Sequence, residues 1–338
     1  MSKGFHVAIV GATGVVGQEL MAVLQERKFP ISNLKLLASA RSQGKKLKYC
    51  GEELTVFEAK PDSFEGVDLV FFAGGPVSKE LVPEAVKRGA VAIDNSSAFR
   101  MDPDVPLVVP EVNPDDVEKH RGIISNPNCS TTIFVVPLNP IHKIAKVKRA
   151  VVTTMQAVSG AGREAVDELL LQTRQVLDGE EVEQPKAFDH QIAFNLIPHI
   201  DVFNENSYSR EELKLLHETR KILHDPEIQI TATTVRVPVL CSHSESVNIE
   251  TEGKLTAQEA KEILSNAPGI TVQDAPEKLE YPMPIFTSGR DEVFVGRIRN
   301  DYSQERGLNF WIVSDQLRKG AATNAVQIAE LLCSRNLL

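Results

Sequence analysis

The chain has 338 residues, enough for two domains with real cores, and its apolar (42%) and charged (25%) fractions are those of an ordinary globular protein. A net charge of -9, with no Lys/Arg cluster beyond Lys45, Lys46 and Lys48, excludes a nucleic-acid patch, and no apolar stretch reaches membrane-spanning length. Four widely spaced cysteines (Cys50, Cys129, Cys241, Cys333) without a Cys-x-x-Cys argue against a disulfide framework or a zinc knuckle, and Met1 to Gly4 leads straight into a strand with no signal peptide; the expectation is a reducing, cytoplasmic setting.

The run from His6 to Val10 is continuously apolar, as a buried parallel strand requires. It enters Gly11-Ala12-Thr13-Gly14-Val15-Val16-Gly17 and then a helical pattern through Leu20, Val23 and Leu24. Strand, glycine loop and helix together are the context of a dinucleotide fingerprint, in which a helix N-terminus meets a pyrophosphate. The spacing is GxxGxxG rather than GxGxxG, and a purely structural turn is the alternative. The next strand, Leu34 to Ala38, ends about twenty residues beyond the last glycine, where a carboxylate would hold the ribose 2′-hydroxyl of NAD. Ser39-Ala40-Arg41-Ser42 stands there instead. Its hydroxyls and Arg41 suit a 2′-phosphate and favour NADP, with a solvated polar loop as the alternative. A strand from Val67 to Ala73 leads into Gly74-Gly75, and a helix capped by Ser78 is expected to end near Gly89. Val91 to Asp94 leads into Asn95 to Arg100; strand ends are where doubly wound sheets bind ligands, and Arg100 is placed to clamp an anion.

Cys129 lies in Asn126-Pro127-Asn128-Cys129-Ser130-Thr131-Thr132, just before the apolar Ile133 to Val136. If Asn128 or Ser130 caps a helix, the N–H groups and the dipole there favour the thiolate. The alternative is a small buried hydrophobe. From about Lys146 the texture changes to alternating strands mixed with helices, a second α+β domain. Arg149 to Val158 reads as a strand carrying Gln156, which either positions a reacting carbonyl or satisfies neighbouring backbone. After the turn Ser159 to Gly162, a helix from Arg163 to about Leu177 presents Val166, Leu169 and Leu170 as its apolar face and stops near Gly179. Ser209-Arg210-Glu211-Glu212 is a capping box through Glu212, leaving Glu211 beside Lys214 on the helix surface. Thr233 to Leu240 reads as a strand with an embedded Arg236, which needs a carboxylate from protein or substrate. His243, between hydroxyls, is a proton carrier near neutral pH or a structural hydrogen-bonding group. Strands at Val293 to Ile298 and Leu308 to Val313 precede Gly320-Ala321-Ala322-Thr323-Asn324, whose small residues bring backbone close to a neighbour such as a cofactor, and a helix from Ala321 to Leu332 closes the chain.

With GATGVVG, DNSSAFR, NPNCSTT, SGAGR, SREELK and the Arg236/His243 pair in this order, the whole chain resembles the aspartate-β-semialdehyde dehydrogenase family. The resemblance implies an α/β protein: a Rossmann-type doubly wound NADP-binding domain (1–130, completed by 318–338) and a second α+β catalytic and dimerisation domain (131–317). It implies reversible, NADPH-dependent conversion of β-aspartyl phosphate to aspartate semialdehyde, in lysine, threonine, methionine and isoleucine biosynthesis, by a homodimer or dimer of dimers without a metal. Cys129 would be the nucleophile, Gln156 its orienting partner and His243 the acid–base. Arg236 would hold the substrate carboxylate, Glu211 the amino group, and Arg100 and Lys214 the phosphate, with Asn128 also at the substrate. Gly11, Thr13, Gly14, Val15, Val16, Ser39, Arg41, Ser42, Gly74, Ser159 and Gly160 would contact NADP, and Asn324 the nicotinamide. Ser207-Tyr208-Ser209 lacks the family's usual glycine and threonine at the helix entry. A sister reductase of N-acetyl-γ-glutamyl phosphate would lack an acid such as Glu211, because its amine is acylated. The Ser-Cys-Thr-Thr-Asn-Cys run of glyceraldehyde-3-phosphate dehydrogenases is absent. A non-catalytic NADP sensor on the same fold need not keep Cys129, Gln156, Arg236 and His243 together.

Overall fold

The first apolar run forms β1 (Phe5–Val10), and the glycine loop after it passes into α1 (Val15–Glu26). The computed structural model describes residues 4–338 and contains two units, Met1–Asn128 with Ala321–Leu338, and Cys129–Gly320. In the first unit the chain continues through β2 (Ile31–Ala38), β3 (Lys46–Tyr49), β4 (Glu52–Glu58), β5 (Leu69–Phe72), α2 (Ser78–Lys87), β6 (Val91–Asp94) and β7 (Ile123–Ser125). These strands make a seven-stranded sheet in the order β3-β4-β2-β1-β5-β6-β7. Every pairing is parallel except β3 with β4.

Alternate residues of a strand point to opposite faces, so a continuous apolar run needs a core on both. Val7 and Ile9 of β1 join Leu36, Phe71, Leu20 and Leu24, together with Ala325, Ile328 and Leu332 of the C-terminal helix (Thr323–Ser334). Ala8 and Val10 face the other way, with Phe72, Leu81, Val82 and Ala85. Each large side chain buried here is worth about 1.5–3 kcal/mol, which holds both helical layers on the sheet. The chain leaves β1 toward β2 on one side and reaches β5 on the other, and that reversal opens a crevice at the strand ends. Two expectations change. The hairpin β3–β4, turning at Cys50 (φ 49°) and Gly51 (φ 85°), was not legible in the sequence. Ser78 does not cap α2: Val77 holds the cap position already in a helical conformation (φ -62°, ψ -20°), and a side-chain oxygen reaches back only from an extended cap residue.

The second unit opens with α3 (Cys129–Ala145) and runs through β8 (Val147–Gln156), α4 (Arg163–Asp178), α5 (Arg210–Leu223), β9 (Gln229–Arg236) and β10 (His243–Thr251). It ends with α6 (Ala257–Ser265), β11 (Ile270–Val272), α7 (Pro284–Thr287), β12 (Val293–Asn300) and β13 (Gly307–Ser314). Its six-stranded sheet has the order β11-β12-β13-β10-β8-β9 and is mixed, with β8·β9 and β11·β12 parallel and the other pairs antiparallel. The strand expected to reach Leu240 stops at Arg236, because Pro238 has no N–H for the ladder. On α4 the buried positions are Ala165, Leu169, Gln172 and Gln175, whereas Leu170 is 45% exposed. The expected apolar face is therefore rotated by about one residue, and Leu171 and Leu177 are exposed with Leu170. Among the described residues no helix is long and apolar enough to cross a membrane.

Candidate active site

Cys129 is the first residue of α3 and half-buried, with buried Asn128 directly before it. The thiol thus sits at the positive end of the helix dipole, where unsatisfied N–H groups favour a negative charge. Gly320 packs against it: a Cβ on Gly320 would lie 2.9 Å from Cys129 Cβ. The small residue at the start of the Gly320–Asn324 stretch thus makes room for the cysteine.

Strand register assembles the rest. β8 and β9 run parallel with Gln156 opposite Arg236, and β10 begins at His243 on the other side of β8. One residue, Ala157, ties the three strand ends together. Ala157 N donates to His243 Nδ1 at 3.1 Å, and Ala157 O accepts from an Arg236 guanidinium N–H at 2.7 Å. Gln156 Nε2 donates to Ser130 Oγ (2.9 Å) and to Glu211 Oε1 (3.2 Å), linking the residue after the cysteine to α5. Glu211 is buried because Ser209 and Glu212 close the expected capping box and fix the first turn of α5. Its Oε2 accepts from Lys214 Nζ at 2.9 Å, and Lys214 also reaches Asp201 at 2.9 Å. Cys129, Gln156, Glu211, Lys214, Arg236 and His243 thus form one cluster in the second unit. Ser159 Oγ accepts from Gln316 Nε2 at 2.7 Å, and Gly160 faces the His243 ring and the Arg236 guanidinium.

Burial lowers the pKa of Arg236, against the opposing charges of Cys129 and Glu211. Arginine starts so high that it stays a cation. Burial also works against the charge on Lys214, but Glu211 and Asp201 outweigh it and raise its pKa. His243 is fully buried, and burial followed by the Arg236 charge pushes its pKa well below the usual imidazole value. That shift favours the uncharged imidazole. Glu245, two residues along β10 and also fully buried, is pushed well above the carboxylate range by burial.

In the first unit, Gly11 adopts φ 86°, a left-handed conformation that favours glycine. A Cβ on Gly17 would collide with the Gly11 carbonyl and lie 2.7 Å from Ala12 Cα, so the third glycine lets α1 approach β1. Thr13, Gly14, Val15 and Val16 form the entry and first turn of α1, and Gly74 (φ 117°) follows β5. At the end of β2, Ser39 and Arg41 are exposed, while buried Ser42 has its Oγ 3.3 Å from Thr13 Oγ1. No acid occupies this turn. Arg100 is buried, donating to Asn126 O (2.9 Å) and Asn95 O (2.7 Å). Asn324 is also buried and donates to Asn126 Oδ1 (2.6 Å) and Val108 O (3.0 Å). Among the described residues no group of three or more His, Cys, Asp or Glu could hold a metal ion. Sequence reasoning missed Ser130, the Ala157 peptide, Asp201 and Gln316; Ser130 alone carried a signal, as the neighbour of Cys129.

Two family models match the chain, the NAD binding domain of semialdehyde dehydrogenase over residues 6–120 and its dimerisation domain over 138–319. The chain is 57% identical to the aspartate-semialdehyde dehydrogenase of Aquifex aeolicus (99% of this chain, all of that protein) and 53% identical to that of Bacillus subtilis (all of both). Among solved structures, aspartate semialdehyde dehydrogenase II of Vibrio cholerae, complexed with ASA, aligns at TM-score 0.95 with 46% identity, over 98% of this chain and 99% of that one. The Candida albicans enzyme with NADP aligns at TM-score 0.77 with 27% identity, over 99% and 100%. Such agreement along the full length shows that the chain belongs to the aspartate-semialdehyde dehydrogenase family.

Proposed function

We propose that this protein converts β-aspartyl phosphate to aspartate semialdehyde, reversibly and with NADPH, through a thioester on Cys129, as a cytoplasmic step of amino-acid biosynthesis. The observation that carries the reading is the arrangement of Cys129 at a helix N-terminus with Arg236 electrostatically coupled to it and Gln156 bridging Ser130 to Glu211. The thiolate attacks the acyl carbon, forming C–S while the carbonyl electrons move to oxygen. The carbonyl re-forms as the C–O bond to phosphate breaks, and phosphate takes its proton from solvent. A dinucleotide, when bound, supplies the hydride that reduces the acyl carbon. Collapse of the resulting tetrahedral adduct breaks C–S, restores the thiolate and releases the aldehyde.

Gln156 orients the acyl group, and His243 faces the reacting carbonyl. Arg236 holds the substrate carboxylate through its planar fork, Glu211 takes the amino group, and Lys214, Arg100 and Asn128 are the phosphate-side contacts. An N-acylated substrate would offer buried Glu211 no ammonium beyond that of Lys214. The first unit fits a dinucleotide on its own residues, since the close Gly11–Gly17 approach seats the N-terminus of α1 at the end of β1, and the first-turn N–H groups of a helix have no intrahelical partner. Gly11, Thr13, Gly14, Val15 and Val16 would hold the pyrophosphate, and Ser39, Arg41 and Ser42 a 2′-phosphate. Gly74, Ser159, Gly160 and Asn324 are the remaining cofactor positions. Exposed Leu170, Leu171 and Leu177 on α4 suit burial against a second copy, in keeping with a homodimer.

The test is NADPH formation from aspartate semialdehyde, NADP and phosphate. Activity that needs phosphate and vanishes in Cys129→Ala, with NADP binding kept, is the expected result. Turnover in the variant would remove the nucleophile assignment.

A further inference from the structure

The His243 ring is held in a way that decides which nitrogen carries its proton. Its Nδ1 accepts from Ala157 N–H at 3.1 Å. The Gln156–Ala157 peptide that carries this N–H cannot turn over cheaply, because its carbonyl, Gln156 O, accepts from Val237 N at 3.1 Å, and the next carbonyl, Ala157 O, is held by Arg236 at 2.7 Å. A ring nitrogen that accepts from an N–H presents a lone pair, so the single proton of the neutral ring is on Nε2. An imidazolium would set an Nδ1–H against the Ala157 N–H, donor against donor. The Nε2 atom is buried with no hydrogen-bond partner, a costly condition unless a ligand answers it. Its edge of the ring faces Gly160, where a Cβ would lie 3.0 Å from Cε1 and 3.2 Å from Nε2.

We propose that His243 acts as a neutral Nε2–H donor to the substrate carbonyl oxygen, an oxyanion-holding group rather than the base that takes the Cys129 proton. The inference deepens, and rests on, the thioester reading above. The electron balance permits it. Thiolate addition and hydride addition from a reduced nicotinamide each place a negative charge on the same oxygen, and each collapse returns that pair to the C=O bond. Neither step requires a proton on the oxygen; the one proton taken up overall goes to the departing phosphate. What both tetrahedral states need is a fixed donor, and one such donor is typically worth about 10²–10³ in kcat. Arg236 is the charge acting on the ring, and it acts in turn on Cys129 and Glu211. Together with burial it disfavours the imidazolium, while Glu245 on the same strand face is itself held neutral.

The tautomer is read directly by long-range proton–nitrogen correlation NMR on full-length protein with labelled histidine, from about pH 5.5 to 8.5, a range that spans the ordinary imidazole titration. The His243 signals are assigned by their loss in His243→Gln. A pyridine-type Nδ1 with Nε2–H throughout is expected; an Nδ1–H tautomer or an imidazolium near neutral pH overturns the proposal. In kinetics, His243→Gln keeps a neutral donor at similar reach and is expected to retain at least about tenfold more kcat than His243→Ala, within the span of one oxyanion donor. A Gln variant as inactive as Ala, though folded, refutes the donor role. Turnover in Cys129→Ala would instead sink the thioester reading and the oxyanion role with it, leaving the tautomer result standing.

Discussion

Replacing Gly160 by alanine tests whether the cluster depends on clearance at that point. Gly160 lies in the turn Val158–Ala161 without a positive φ, so alanine carries no backbone strain. Its Cβ, however, would lie 3.0 Å from His243 Cε1 and 3.2 Å from both His243 Nε2 and an Arg236 guanidinium nitrogen. Ordinary contact between carbon atoms is about 3.5–4.0 Å, so the imidazole must give by about 0.5 Å. Overpacking of this kind costs about 1–3 kcal/mol of stability. A misplacement of about 1 Å can cost about 100-fold in rate, so half of that predicts about tenfold lower kcat/KM. The loss should fall on kcat and on the KM for aspartate semialdehyde, because His243 and Arg236 are the displaced groups. Initial rates with each substrate varied, with circular dichroism to establish folding, measure it. An unchanged kcat/KM would refute the clearance argument. A rise confined to the dinucleotide KM would leave Gly160 its cofactor role alone and equally refute the clearance argument.

Arg236→Lys keeps the charge but loses the fork held by Ala157 O, and should raise the KM for aspartate semialdehyde at least about tenfold, the value of one charge-assisted bond; an unchanged KM contradicts its carboxylate role. Arg41→Ala, at an exposed position, should raise the KM for NADP well above any change in that for NAD, with equal changes counting against 2′-phosphate recognition. Glu245→Gln should alter stability in a pH-dependent way. Burial raises the folded-state pKa of Glu245 well above the ordinary carboxylate value, so the folded protein keeps a proton that the unfolded chain releases above about pH 4.3. That contribution is fully present below the unfolded pKa and is lost as pH rises. The variant should therefore gain melting temperature relative to wild type toward pH 8, and the gap should narrow toward about pH 4.5. A pH-independent gap would show that Glu245 is not the proton-holding group.

Features governed by local rules were legible in the chain alone. The strand–glycine–helix sequence at Gly11 to Gly17, the turn before Cys129 and the Ser209–Glu212 capping box depend on residues within one turn of each other, and each stands where its local chemistry puts it. The two-domain α/β class was equally legible, because apolar period separates doubly buried strands from alternating ones. Tertiary structure decided the rest. Gln156 stands opposite Arg236 only because β8 and β9 pair in that register, and a slip of one residue in either strand would turn that strand's side chain to the other face. The apolar face of α4 depends on what packs against it, which is why Leu170 is exposed rather than buried. The charge state of His243 depends on burial, on the Arg236 charge and on an N–H brought from a distant segment, Ala157, 86 residues away. Residue type determines which chemistry is available, whereas solvation and hydrogen-bond partners determine which protonation state is used, and those exist only once the chain has folded.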